Sequence, residues 1–260
     1  MYKVLNELLS DKKTDTIFKC FGIWHIIYML ITFGIIISVI LLLKNKKYET
    51  KQKATNIVIG IGFGLYILDF FLMPFAYGEI DLEKLPFHIC TSMCVLCFIS
   101  NHNKFLSKFK VPLAVLGLVG NIIYVIYPAG IGWYQIHPLS YRVVQTLMFH
   151  GIMTLYGIMV LTFDKERLNI KKCYKELIII ILLTLWALLG NTLYNYNLGE
   201  YRHMFNWFFV IQDPFYILPS EIARIIMPFL MIITIFISVM IVYGVYYLIR
   251  IFHKKNAWSK

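Results

Sequence analysis

Seven apolar segments recur along the chain, and they constrain the fold more than any other feature. They cover about residues 20–43, 57–77, 86–100, 111–127, 141–163, 174–196 and 222–252. An α-helix needs about 20 apolar residues to cross a bilayer core of roughly 30 Å. Only 15% of the residues are charged, whereas a soluble domain carries about 25%. The sequence therefore predicts an all-α, polytopic membrane helical bundle with about seven transmembrane helices.

The apolar pattern divides the chain into three parts. Residues 1–19 form a polar N-terminal segment, residues 20–252 the seven-helix membrane domain, and residues 253–260 a basic tail. The first apolar run is too long for a signal-peptide core and lacks a small-residue cleavage site. We therefore expect it to be retained as the first span.

Basic residues concentrate in alternate loops. The loops 44–56, 101–110 and 164–175 and the tail from Arg250 hold most of the Lys and Arg that give the net charge of +11. Basic loops face the cytoplasm. The pattern predicts a cell-membrane protein with its N-terminus outside and its C-terminus in the cytoplasm. This distribution accounts for the charge without a nucleic-acid partner.

The stretch from Leu85 to Cys97 is unusually polar for its apolar surroundings. It contains Pro86, which suits the first turn of a helix, and then His88, Cys90 and Thr91. Membrane helices carry such groups where they meet partners or line a cavity, so this helix is predicted to face a polar pocket. Cys94-x-x-Cys97 has redox or metal spacing, but without a second pair it favours packing thiols. We predict no disulfide framework and no cofactor.

Other polar side chains lie inside the predicted spans. An isolated carboxylate at Asp69 costs at least about 2.5 kcal/mol, so it should be protonated or paired with a histidine, amide or hydroxyl. Asn121 and Asn191 each follow a glycine and are expected to form interhelical hydrogen bonds. Each group alone is typical of structural hydrogen bonding, but the whole set predicts a shared site: His25, Asp69, His88, Asn121, Gln145, His150 and Asn191.

Three chemistries fit this set. Cys90 or Thr91 is a candidate nucleophile that His88 or His150 would activate, with Asp69 or Asn191 orienting the base. The histidines and Asp69 are metal-ligand types, but no helical His-x3-His pair exists and no metal site is predicted. Alternatively, the cluster binds a polar solute or a proton in a carrier. A carrier would require a discontinuous helix, and the candidate break is near Pro228.

Several short motifs, in order, resemble those of the YwaF / transmembrane protein 164 family. They span about residues 18–220 and are Phe18-x3-Gly22-x2-His25, Leu85-Pro86-Phe87-His88-Ile89-Cys90, Gly117-Leu118-Val119-Gly120, Gln145 to Gly151, the Asn191/Asn195 region and Asp213-Pro214-Phe215-Tyr216. The resemblance implies a helical bundle and, for the eukaryotic branch, a lipid acyltransferase with a cysteine acyl intermediate.

The resemblance also implies roles for individual residues. The family cysteine lies in a Pro-Cys-His motif, and here Phe87 occupies that position between Pro86 and His88. Cys90, one turn later, is our predicted substitute. Related membrane hydrolases with a threonine nucleophile make Thr91 a second candidate.

These inferences combine into one predicted function, an acyltransferase-like enzyme acting on membrane phospholipid or another lipid. The alternative is a non-enzymatic carrier or binding protein for a small amphiphile. No protein partner can be identified from the sequence. The loop 197–221 is predicted to form either a lid or an interfacial aromatic belt. The predicted catalytic residues are Cys90, His88, His150 and Thr91, and the predicted binding or orienting residues are His25, Asp69, Asn121, Gln145, Asn191, Asn195, Asp213 and Tyr216.

Overall fold

Seven helices form the framework of the protein. The computed structural model describes residues 9, 15–77, 82–132, 135–196, 205–215 and 217–258, and no strand occurs among them. The helices are α1 Ile23–Leu43, α2 Tyr48–Tyr77, α3 Ile89–Ser100, α4 Lys110–Ile126, α5 Tyr141–Phe163, α6 Tyr174–Tyr196 and α7 Ser220–Trp258. Short helical turns lie at Leu82–Lys84, Leu106–Phe109, Ala129–Gly132, Ile170–Lys172 and Trp207–Phe209.

Six of these helices are long and apolar enough to cross a membrane, and α3 is a shorter apolar helix. The predicted polytopic helical bundle is therefore confirmed. The bounds of α5 and α6 coincide with the predicted segments 141–163 and 174–196, because in both helices the apolar run and the backbone helix end together.

The centre of the bundle is the contact between α4 and α5. In the most apolar 18-residue stretch around each helix, more than half of the residues are buried inside the protein. Gly157 permits the close approach, since a Cβ there would lie 2.7 Å from Leu118 Cβ. By contrast, only 6% of the corresponding 18-residue stretch of α1 is buried. Helix α1 therefore presents most of its apolar surface outward, as lipid contact requires.

Five of the seven helices begin at residues other than the predicted ones: α1, α3, α4 and α7 by one to three residues, and α2 by nine. α2 begins at Tyr48 rather than at residue 57, because polar residues can extend a helix beyond the hydrocarbon. α3 begins at Ile89 after His88, which has extended backbone angles. The prediction that Pro86 lies in the first turn was wrong.

Side chains satisfy the irregular backbone before α3. Ser92 Oγ and Trp186 Nε1 each donate to the Pro86 carbonyl at 2.7 Å, and Thr91 Oγ1 donates to the Leu85 carbonyl at 3.3 Å. Irregular backbone at membrane depth requires such partners. These bonds replace the helical turn that was predicted there.

The last helix is continuous. α7 runs through Pro228 without interruption, so the break that the carrier alternative requires is not found at that position. Cys94 and Cys97 are fully buried in the apolar core, as expected for packing thiols.

Candidate functional site

Most of the predicted site residues lie at one end of the bundle. The C-terminal ends of α2, α4 and α6 meet the N-terminal ends of α3 and α5 there, and residues 205–215 pack against them. The contacts that join these elements are Trp207 Nε1 to the Glu83 carbonyl, Phe208 N to His88, and the ring of Tyr124 on that of His150. Polar groups from distant parts of the sequence are therefore brought together.

A buried ion pair lies at this end. Lys84 Nζ is 2.9 Å from Asp69 Oδ2, and the Asp69 side chain is 3% exposed against 22% for Lys84. The second carboxylate oxygen, Oδ1, is buried without a hydrogen-bond partner among the described residues. Tyr66 Oη donates to the Lys84 carbonyl at 2.9 Å and fixes the backbone of the pair. Asp69 was predicted to be protonated or to pair with a histidine, amide or hydroxyl. Its partner is instead an ammonium group, which compensates the carboxylate charge directly.

Both predicted catalytic histidines are close enough to Lys84 to interact with it electrostatically. The backbone N–H of Phe208 donates to His88 Nδ1 at 3.3 Å. Because an N–H group can only donate, the Nδ1 atom holds a lone pair and the proton is on Nε2. His88 is therefore a neutral ring that connects α3 to the loop above it.

His150 has the opposite tautomer. Its Nδ1 lies 2.7 Å from the Thr146 carbonyl, which can only accept, so Nδ1 carries the proton. The Nε2 atom then has the lone pair that can receive a proton. The ring stacks on Tyr124 with centroids 4.0 Å apart and planes 15° apart, which fixes its orientation.

Cys90 lies in the first turn of α3. Its thiol donates to the Gly120 carbonyl at 3.8 Å, a weak bond for a weak donor. No histidine nitrogen is within hydrogen-bonding distance of this sulfur among the described residues. Thr91 Oγ1 shares its one proton between the His88 carbonyl at 3.1 Å and the Leu85 carbonyl at 3.3 Å, so the proton is engaged by the backbone.

Phe87 is a packing residue. Its ring lies 4.8 Å from those of Trp186 and Trp207, and a side chain at Gly190 would collide with it. The position that holds the nucleophile in the resembled family is thus filled here by an aromatic contact between α6 and the loop.

His25 is a structural residue of the N-terminal end of α1. It is fully buried, its Nδ1 accepts from the backbone N–H of Phe21 at 2.9 Å, and its Nε2 donates to the Val125 carbonyl at 3.0 Å. Both ring nitrogens are used. His25 therefore attaches the first helix to α4 and has no lone pair left for proton transfer.

Asn121 and Gln145 are buried in α4 and α5. Asn121 Nδ2 donates to the Gly117 carbonyl of its own helix at 2.7 Å, so the predicted interhelical bond was wrong; the i−4 carbonyl is the nearer acceptor. Its Oδ1 is buried and without a partner among the described residues. Gln145 Oε1 accepts from Thr146 Oγ1 at 3.3 Å.

Two asparagines of α6 bind the loop through its backbone. Asn191 accepts from the Trp207 N–H at 2.9 Å and donates to the Trp207 carbonyl at 3.0 Å. Asn195 does the same with Phe205 at 2.7 and 2.9 Å. The asparagines are one helical turn apart, and the two residues that they bind, Phe205 and Trp207, are two positions apart. We call these paired side-chain contacts the asparagine clamp.

The rest of the loop is stabilised by Asp213. Its carboxylate accepts backbone N–H groups of Phe215, Ile217 and Leu218 at 2.8–3.0 Å. The Phe215 bond above all lowers the pKa of Asp213 below its ordinary value.

Trp207 and Phe208 are each 1% exposed, so these two residues belong to the core and not to a surface belt. Tyr216 lies outside the described residues.

Sequence reasoning missed three residues of this end, namely Lys84, Tyr66 and Tyr124. Lys84 was counted only as a loop charge. Its signal was present: it is the single basic residue between α2 and α3 and follows a span that contains a lone carboxylate. The tyrosines gave no comparable signal, since aromatic residues are common in every span.

The fold and the site define a multi-pass helical membrane protein with a polar cluster at one end of its bundle. Among the described residues, no three His, Cys, Asp or Glu side chains are arranged to hold a metal ion. The family model described as the TMEM164 family matches residues 20–242, and the chain belongs to this family. The resemblance recognised from the short motifs is thereby confirmed. No curated protein and no solved structure matches the chain.

Proposed function

We propose that this protein is a membrane enzyme that transfers acyl chains between lipids, with Cys90 as nucleophile and His150 as base. One observation carries the proposal. Helix α4 contacts the Cys90 thiol at Gly120 and the His150 ring at Tyr124. These two contact points are four residues apart, hence on one face and about 6 Å apart along the axis.

The proposed reaction uses groups that are available at this end. The Cys90 thiol first leaves the Gly120 carbonyl, and its proton then passes to His150 Nε2 through one bridging water. The sulfur attacks the ester carbonyl of a lipid. Collapse of the tetrahedral intermediate expels the lysolipid alkoxide, which takes the proton back from His150. The resulting thioester is then attacked by an acceptor hydroxyl through the same steps in reverse, which restores the thiol.

The first turn of α3 offers stabilisation for the developing oxyanion. The His88 side chain makes no cap hydrogen bond, so it does not occupy the first N–H groups of the helix, which lack helical partners. Such N–H groups are suitable donors to an oxyanion beside the nucleophile. Cys90 is favoured over Thr91 because its bond to Gly120 is weak and easily given up.

The test is covalent labelling of the purified full-length protein by a phospholipid with an alkyne-tagged acyl chain. We expect a hydroxylamine-labile label on wild-type protein and on Cys173→Ala, whose partly exposed thiol lies at the other end of the bundle, but not on Cys90→Ala. His150→Gln should slow labelling by roughly 10²–10⁴-fold, the usual contribution of a general base. Labelling that persists in Cys90→Ala, or none in folded wild-type protein, would overturn the assignment.

A further inference from the structure

An open groove lies at the opposite end of the bundle from the candidate site. Its volume is about 590 Å³, and it is lined by the first turns of α2 and by Lys165. Its last lining residue on α2, Ile57, precedes Asp69 by 12 residues, which is about 18 Å along a helix. This surface, here called the α2 groove, is therefore separate from the candidate site.

The α2 groove spans the boundary between polar and apolar surface. Residues 48–56 include Glu49, Lys51 and Lys53, whereas the helix is continuously apolar from Ile57, which is 52% exposed, to Leu68. A helix that crosses a membrane has such a transition at the level of the lipid headgroups. The groove thus offers polar contacts to a headgroup and apolar contacts to the chains below it.

Two lysines give the groove its charge. Lys165 Nζ lies 4.3 Å from the centre of the Tyr48 ring, a cation–π contact that positions the ammonium group. Lys53 has no acidic partner within ion-pair distance among the described residues. Glu49 is the one acidic residue of the lining, so the lining carries two positive charges and one negative charge.

Neighbouring contacts make the groove wall rigid. Gln52 Oε1 accepts from Lys110 Nζ at 2.9 Å, and the same ammonium group pairs with Asp164 Oδ2 at 3.0 Å. These bonds join α2 to α4 and to the end of α5. Asp164 is thereby neutralised by Lys110 and does not compensate the two groove lysines.

We propose that the α2 groove binds the headgroup of an anionic phospholipid, with Lys53 and Lys165 contacting its phosphate and Ile57 its chains. Basic pockets between membrane helices bind such headgroups. The phosphate would take the place of the acidic partner that Lys53 lacks. This binding is independent of acyl transfer, and its test measures no catalysis.

The experiment is a titration of the full-length protein with phosphatidylglycerol, followed by native mass spectrometry. Lys53→Gln and Lys165→Gln should each weaken binding by about fivefold, the effect of one lysine near an anionic lipid. Glu49→Gln should tighten binding, because it removes the one negative charge of the lining. Lys171→Gln is the matched control, since this exposed lysine lies at the same end but outside the groove, and it should bind as wild type. Phosphatidylcholine should bind equally to all of these proteins.

Three outcomes would overturn the proposal. Unchanged binding in Lys53→Gln and Lys165→Gln would show that the groove is not the site. An equal loss of binding in Lys171→Gln would show that the effect comes from general surface charge and not from the groove. Competition by inorganic phosphate at matched concentration would identify a free-anion site instead of a lipid site.

Discussion

Asp69 and Lys84 form an ion pair in which a carboxylate inside a membrane helix is paired through only one oxygen. Removing such a group from water is costly, and the pair often contributes little net stability. Lys84 also interacts electrostatically with both histidines, so the pair affects the candidate site. The Lys84 ammonium supplies a fixed positive charge at the candidate site, and Asp69 determines where that charge lies.

This arrangement gives a prediction for single and double substitutions. Lys84→Met should lower the free energy of unfolding by about 3 kcal/mol, because it leaves the Asp69 charge buried and unpaired. The double variant Asp69→Leu, Lys84→Met should recover most of that loss, since neither charge remains. Equilibrium unfolding of the purified protein in mixed detergent measures both values. Losses that simply add in the double variant would contradict the direct pairing.

The loop 205–215 is attached to helix α6 through its backbone. The asparagine clamp pairs both backbone groups of Phe205 and of Trp207 with side chains of α6. Phe208 then reaches His88, and both Phe208 and Phe209 have positive φ angles, 61° and 53°, which non-glycine residues adopt at a cost. The clamp is the local contact that offsets this strain and places the loop over the site.

The clamp is tested by Asn191→Ala. This change leaves the N–H and carbonyl of Trp207 buried without their partners, which costs about 2 kcal/mol and corresponds to a roughly 30-fold change in an opening equilibrium. Hydrogen exchange at residues 205–210 should therefore accelerate by about that factor. Thr192→Ala is the matched control, because its hydroxyl only donates to the Leu188 carbonyl of its own helix. Equal acceleration in both variants would mean that α6, and not the clamp, had been disturbed.

The helices were more predictable than the connections between them. Hydropathy identified α5 and α6 with their bounds, because in both the predominantly apolar run and the backbone helix end together. It missed the first turns of α2, where the helix leaves the hydrocarbon and becomes polar. It also placed Pro86 inside α3, because a local pattern cannot indicate that Ser92 and Trp186 bind the Pro86 carbonyl.

The same limit applies to the candidate site. Asp69 and Asn191 were recognised as buried polar groups from their apolar surroundings, but their partners were not. The partner of Asp69 lies 15 residues away across a loop, and that of Asn191 is a backbone segment 16 residues away. Backbone N–H and carbonyl groups are common to nearly all residue types, so no sequence pattern can identify them as the partner. The roles of Cys90 and His150 remain predictions for the labelling experiment.

At the scale of the whole molecule, the candidate site and the α2 groove lie at opposite ends of one bundle. The helices between them cross the membrane, so the two features face different leaflets whichever way the chain is inserted. The basic loops 44–56 and 164–175 flank the groove. By the positive-inside rule, we propose that the groove faces the cytoplasm and the candidate site the outer leaflet.

Cysteine labelling tests this orientation. In a background with Cys20, Cys90 and Cys173 replaced by alanine, the remaining thiols, Cys94 and Cys97, are buried. The test substitutions are Leu139→Cys, at an exposed residue between α4 and α5, and Lys46→Cys, at an exposed residue before α2.

A membrane-impermeant maleimide should label Leu139→Cys in intact cells and Lys46→Cys only after permeabilisation, because basic loops remain on the cytoplasmic side during insertion. That result would place the candidate site at the outer leaflet, where the proposed acyl transfer would act. It would place the α2 groove at the inner leaflet, where anionic lipids are enriched. The reverse labelling pattern would exchange the two leaflets. The groove would then face the leaflet that is poorer in anionic lipid, while the geometry of the candidate site would be unaffected.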